Sequence, residues 1–146
     1  MPMKRLLLQS CSSRKIITGE PLPAIDLYDG PAFRVLRKFL RDRPDAGPDL
    51  QVLVISAEYG LIESQALISA YNRRMNARRA AELREQIALN WKKITAGREW
   101  NSVFVNLGSD YLPALANIAL PSETLFGNGG IGARNGQLKL WLREML

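Results

Sequence analysis

The chain has 146 residues, of which 47% are apolar, enough for one well-buried core and too few for two. Charged residues at 23%, with 11 glycines and 8 prolines, lie near globular averages, which excludes collagen-like, coiled-coil and wholly disordered chains. Twenty Lys plus Arg against fourteen Asp plus Glu leave a net charge of +6, which suits an anionic partner and equally suits plain solubility. Cys11 is the single cysteine and there is no histidine, so an intramolecular disulfide, a histidine-based triad and the usual Zn, Cu and Fe–S ligand sets are ruled out. No metal site and no cofactor are expected. The leucine run before Cys11 is too short for a secretory signal, which needs about 7 to 15 apolar residues, and no run approaches the roughly 18 of a membrane span. The composition reads as a cytoplasmic protein without membrane contact.

Lys4 to Ser10 is a short apolar block ending in small polar residues, the pattern of a buried strand. Ile16 to Tyr28, broken by Gly19, Pro21 and Pro23, reads as a loop. From Pro31, a first-turn proline, Phe33, Leu36 and Leu40 keep helical spacing with Arg34, Arg37, Lys38 and Arg41 opposite. Gln51 to Ser56 is continuous and β-branched, as a strand covered on both faces would be. Ala80, Leu83, Ile87, Trp91 and Ile94 predict the longest helix, over about 76–95. Ser102 to Leu107 reads as a third buried strand, Tyr111 to Ala119 as a helix that admits Pro113 in its first turn, Ser122 to Phe126 as a short fourth strand, and 135–145 as the last helix. Strands alternating with helices imply a mostly parallel sheet, so the expected fold is a single compact three-layer α/β/α domain.

Ligands of open α/β sheets bind beyond the carboxyl ends of the strands. Three strand ends therefore carry the candidates: Ser10-Cys11-Ser12-Ser13-Arg14-Lys15, then Ser56-Ala57-Glu58-Tyr59-Gly60, then Gly108-Ser109-Asp110-Tyr111. Cys11 is either a nucleophile activated by Lys15 or Arg14, or a small buried hydrophobe. Glu58 and Asp110 are the carboxylates that directly follow buried strands, suited to general acid and base work, with helix capping the alternative for Asp110. Ser12, Ser13, Lys15 and their loop amides suit a phosphate or carboxylate. Gly127, Gly129 and Gly132 match a dinucleotide fingerprint on paper, but the chain ends fourteen residues later, too soon for the second strand and the acidic residue that such a site needs. A turn that lets backbone approach a ligand explains Gly129 and Gly132 as well. Arg73, Arg74, Arg78, Arg79 and Arg84 crowd the start of the long helix, and they fit RNA or DNA contact or a solvated face, with Tyr59 and Tyr71 available to stack on bases.

Taken together, Cys11-Ser12-x-x-Lys15, Asp26-Leu27-Tyr28 with Phe33, Ile55-Ser56-Ala57-x-Tyr59-Gly60-Leu61-Ile62 and Tyr71 resemble an uncharacterised bacterial and phage family marked by C-S-x-x-K, L-Y and S-A-x-Y-G-L segments. Leu107-Gly108-x-x-Tyr111 and Gly132-x-Arg134 are similar to its C-terminal half, while Asp29-Gly30 and the longer loop before Asp26 depart from it. The family looks distantly like the core domain of archaeosine synthase, itself similar in fold to uracil-DNA glycosylases. The resemblance implies a nucleobase or nucleoside pocket. The expected function is thus an enzyme that processes a nucleobase, nucleoside or nucleotide, in modified-base or N-glycosidic chemistry: Glu58, Asp110 and Cys11 act chemically, Ser12, Ser13 and Lys15 hold phosphate or ribose, Tyr28 and Tyr59 flank the base, and Ser56, Gly60, Tyr71, Gly108, Ser109, Gly129 and Gly132 complete the lining. A non-catalytic nucleic-acid- or nucleotide-binding module is the alternative.

Overall fold

The computed structural model describes residues 4–144. In chain order the strands are β1 (Arg5–Ser10), β2 (Leu22–Pro23), β3 (Leu50–Ser56), β4 (Gly60–Glu63), β5 (Leu67–Ile68), β6 (Ser102–Asn106) and β7 (Leu125–Phe126). The α-helices are α1 (Ala24–Leu27), α2 (Pro31–Asp42), α3 (Ala77–Thr95) and α4 (Ile131–Arg143), with 3-10 segments at Gly47–Asp49 and Ser109–Leu115. Five strands form the main sheet in the order β4-β3-β1-β6-β7. All neighbours in it are parallel except β3 and β4, which pair as a hairpin.

Period-two alternation along the central strands builds a core on each face of this sheet. Leu6, Leu8, Leu53, Ile55, Val103 and Val105 pack with Leu83, Ile87 and Trp91 of α3 and with the 3-10 segment. Leu7, Val52, Val54 and Phe104 point the other way, against α1, α2 and α4. The architecture is therefore the three-layer α/β fold expected from the alternation of elements. Among the described residues no helix is long and apolar enough to cross a membrane.

Four local expectations change. The segment read as a loop contains β2 and α1, because Leu22 pairs with Ile68 and the amides of Ala24 and Ile25 donate to Ala66 and Ser64, giving that stretch backbone partners. Gly60–Glu63 forms a strand that the sequence reading does not assign, held by antiparallel pairing with β3. The helix expected at Tyr111 is a 3-10 run starting at Ser109, whose proline lacks the N–H that a longer α-helix would require. The last helix begins at Ile131, ahead of the expected 135, and the fourth strand shrinks to the exposed pair Leu125–Phe126.

Candidate functional site

The chain leaves β1 for α2 on one face of the sheet and leaves β6 for the 3-10 segment on the other. Connections that part to opposite faces open a crevice between adjacent parallel strands at their carboxyl ends. A cleft of about 620 Å³ lies there. Its walls are the loop after β1 (Ser10 to Arg14), the loop after β6 (Gly108 to Tyr111), the first turn of α2 and residues Ile131, Arg134 and Asn135 of α4.

Two buried amides, Gln9 at 4% and Asn106 at 2% exposure, lie side by side in the cleft wall at the ends of β1 and β6. Asn106 Nδ2 donates to Gln9 Oε1 at 2.9 Å and reaches Asn135 Oδ1 at 3.5 Å. Next to them, Cys11 Sγ lies 3.1 Å from the Tyr111 hydroxyl and accepts from the Ala57 N–H at 3.4 Å, which ties the three strand ends together. Burial, with Cys11 close by, pushes the Tyr111 phenol well above its usual range. Asp110 is exposed in the first turn of the 3-10 segment and makes no hydrogen bond or ion pair among the described residues. Gly108 occupies the cap position, so Asp110 is not the helix cap.

Ser56 turns away from the cleft into a buried hydroxyl cluster. Tyr28 donates to Ser56 Oγ at 3.1 Å and sits 2.8 Å from the Tyr71 hydroxyl, and Ser56 Oγ in turn accepts from the Tyr59 N–H at 3.0 Å. Burial raises the pKa of both Tyr28 and Tyr71 far beyond the ordinary phenol value. Lys15 places its ammonium 4.4 Å from the centre of the Tyr71 ring and donates to the Ser13 carbonyl at 3.2 Å. Burial lowers the Lys15 pKa, an effect opposed by Cys11.

The loop after β1 is held to α2 by charge. The Asp29 carboxylate takes Arg34 at 3.0 Å, Arg14 at 3.6 Å and Arg37, and the guanidiniums of Arg34, foremost, and Arg37 hold its pKa below the usual carboxylate range. Ser12 Oγ accepts the Gly30 N–H at 3.1 Å. A side chain at Gly30 would collide with Ser12, whose Cβ lies 2.7 Å from where the new Cβ would stand.

Of the residues singled out in the sequence, Cys11, Ser12, Ser13, Gly108, Ser109 and Asp110 come together on the cleft. Glu58 does not join them, because β3 lies on the far side of β1 and turns directly into β4; the residue faces Arg73 at 3.8 Å. Gly60 serves that hairpin with a φ of 75°, packed against Gln86. Tyr28 is fully buried and offers no ring face to a ligand, while the Tyr59 hydroxyl is spent on the Ser69 carbonyl at 2.9 Å. Gly129, with a φ of 84°, precedes α4 and Gly132 lies in its first turn, and neither lines the cleft. Arg79, counted with the basic cluster, donates to the carbonyls of Ala57 and Glu58 and so braces the β3–β4 turn. Sequence reasoning missed Gln9, Asn106 and Asn135. The available signal was an amide ending an otherwise apolar strand, in Leu6-Leu7-Leu8-Gln9 and Val103-Phe104-Val105-Asn106.

Residues 6–144 match the model of a family of unknown function. No curated protein matches the chain.

Proposed function

The chain belongs to this family, DUF6884, and we propose that it is an enzyme that processes a nucleobase, nucleoside or nucleotide in the cleft between β1 and β6, in modified-base or N-glycosidic chemistry. The amide row of buried Gln9 and Asn106 with the half-buried Asn135 carries this reading. Base edges present alternating donors and acceptors, and a carboxamide presents both in one plane. Held by its neighbours, such a row is preorganised and discriminates by leaving an unmatched edge without partners.

Asp110 takes the acid–base role first shared with Glu58, because its carboxylate lines the cleft and is unpaired among the described residues, whereas Asp29 on the same cleft is held by Arg14, Arg34 and Arg37. There it takes a proton or orients a water beside the sugar. Ser12, Ser13 and Ser109 stand within the same walls as hydroxyls for a ribose, and the Cys11–Tyr111 pair closes the wall between them. Lys15 is engaged with the tyrosine cluster and supports the loop from behind.

Thermal unfolding in the presence of bases, deazaguanines, nucleosides and short RNA or DNA tests the reading, since a ligand of the native state raises its stability by mass action. A shift with a small nucleobase-bearing compound is expected, lost in Asn106→Leu and kept in Asp110→Asn, which abolishes turnover instead. If polynucleotides alone give a shift and salt erases it, the protein is a non-catalytic nucleic-acid-binding module, the reading favoured by the exposed Arg73, Arg74 and Arg78.

A further inference from the structure

Hydrogen bonds fix which end of each amide in the cleft wall faces which neighbour. Gln9 and Asn106 pair in register across β1 and β6, and both are buried. The Gln9 Nε2 donates to the Ser10 carbonyl at 3.2 Å, which leaves its Oε1 turned towards Asn106. Asn106 meets that oxygen with its Nδ2 at 2.9 Å, and the same nitrogen faces Asn135 Oδ1 at 3.5 Å. Turning the Asn106 amide over would set its oxygen against those two oxygens. Gln9 cannot turn in answer without setting its own Oε1 against the Ser10 carbonyl. One backbone carbonyl thus decides the direction of the row.

The consequence is an acceptor without a donor. Asn106 Oδ1 receives no hydrogen bond from any described residue. It is not sealed off, for among the described residues the sealed side-chain atom without a partner is Arg134 Nε. Asn106 is only 2% exposed and lines the cleft, so this oxygen opens at the cleft floor. Ser13, Ser109 and Asp110 are exposed at the mouth of the same cleft. A ligand whose sugar lies by those groups reaches Asn106 with the far edge of its base. An N–H there is matched by the waiting oxygen, whereas a lone pair would confront the lone pairs of Oδ1 away from bulk water and leave both groups unpaired.

We infer that Asn106 is a specificity-determining residue that accepts a hydrogen bond from an N–H on the edge of the base, and that Gln9 is the positioning residue that keeps its oxygen forward. The substrate class is then a base-bearing compound with an unblocked edge N–H. The ring hydrogen of a lactam supplies it, and so does the exocyclic amine of an aminopurine or aminopyrimidine. A base whose edge offers only lone pairs, or whose N–H groups are alkylated, is rejected. The inference rests on the reading of this cleft as a nucleobase site.

Calorimetric titration of the full chain tests this by comparing adenosine, guanosine and inosine with purine riboside, cytidine and uridine with pyrimidin-2-one riboside, and each nucleoside with its fully N-methylated form. The two ribosides keep ring and sugar but have no N–H on that edge and no added bulk. The nucleoside that binds should do so at least about tenfold tighter than its counterparts without the N–H, the size of one unmatched buried group. Gln9→Met frees the Asn106 amide to turn its Nδ2 to the ligand, so the ratio should fall towards one through tighter binding of the riboside that lacks the N–H. Damage to the fold does not raise an affinity, which separates positioning from a merely structural role. If Gln9→Met folds poorly, the ratio in the unaltered chain still decides for or against Asn106. Equal affinity for nucleoside and counterpart overturns the inference and leaves the nucleobase reading intact. An unchanged ratio in a folded Gln9→Met protein overturns the role of Gln9. Ribose binding as tightly as the nucleosides, or no binding by any of these compounds, overturns the nucleobase reading and the inference with it.

Discussion

Ser56 shows how one small side chain organises a strand end. Its hydroxyl accepts the amides of Glu58 and Tyr59, which turns the chain out of β3, and it meets the phenols of Tyr28 and Tyr71. Because burial dominates, Tyr28, Tyr71 and Tyr111 all hold their protons more tightly folded than unfolded. A phenol whose folded pKa is raised contributes stability that is whole below the unfolded value near pH ~10 and is lost as pH rises through the folded value. In an ultraviolet alkaline titration, these three of the chain's 4 tyrosines should stay un-ionised past the ordinary phenol range and then ionise together as the protein unfolds. Smooth titration of all four near pH ~10 in the folded protein would contradict the cluster. Tyr28→Phe strips this group of its central hydroxyl and should cost about 1–3 kcal/mol in urea unfolding.

At the scale of elements, β4 and α3 hold each other in place. Gln86 of α3 donates to the Tyr59 carbonyl at 3.0 Å, Asn90 donates to the Leu61 carbonyl at 3.1 Å, and Arg79 braces the turn before them. The turn closes because Gly60 adopts a left-handed φ of 75° while leaving room for Gln86. Gly60→Ala places a methyl group on the Gln86 side chain in a conformation that L-residues avoid, so it should destabilise by about 1–3 kcal/mol. Asn76→Ala removes a true cap and should cost about 1 kcal/mol. Both are read from chemical denaturation midpoints.

For the molecule as a whole, covering both faces of the sheet sets the energetics. Leu7 and Leu8 are neighbours in β1, both 0% exposed, yet they belong to opposite cores. Leu7→Ala and Leu8→Ala should therefore each cost about 2–5 kcal/mol, the range for a leucine truncated in a close-packed interior. A sheet with one solvated face would tolerate one of the two, and denaturant titration of the pair tells these cases apart. The same layering places the cleft: β1 sits at the centre of the sheet with β3 and β6 beside it, and the connections from β1 and β6 leave on different faces.

Several features were legible from the chain alone, because they depend on residues only a few positions apart. The run Gln51 to Ser56, the helical spacing from Ala80 to Trp91, Pro31 in a first turn and the small polar residues after β1 and β6 all came out as expected. The loop containing Leu22 and Ile25 was not legible, since its order comes from pairing with β5 more than forty residues away, as the partners Leu22 and Ile68 show. Periodicity sorts side chains onto faces but carries no information on strand order, which is settled by how crossovers of given length cover the whole sheet. Local sequence thus determined an α/β protein with chemistry-bearing strand ends. Tertiary structure alone decided that the ends of β1 and β6 frame the cleft while the chain after β3 turns back into β4, which separated Asp110 from Glu58 and brought Gln9, Asn106 and Arg134 to one cleft, because adjacency in a parallel sheet is a long-range property of the fold.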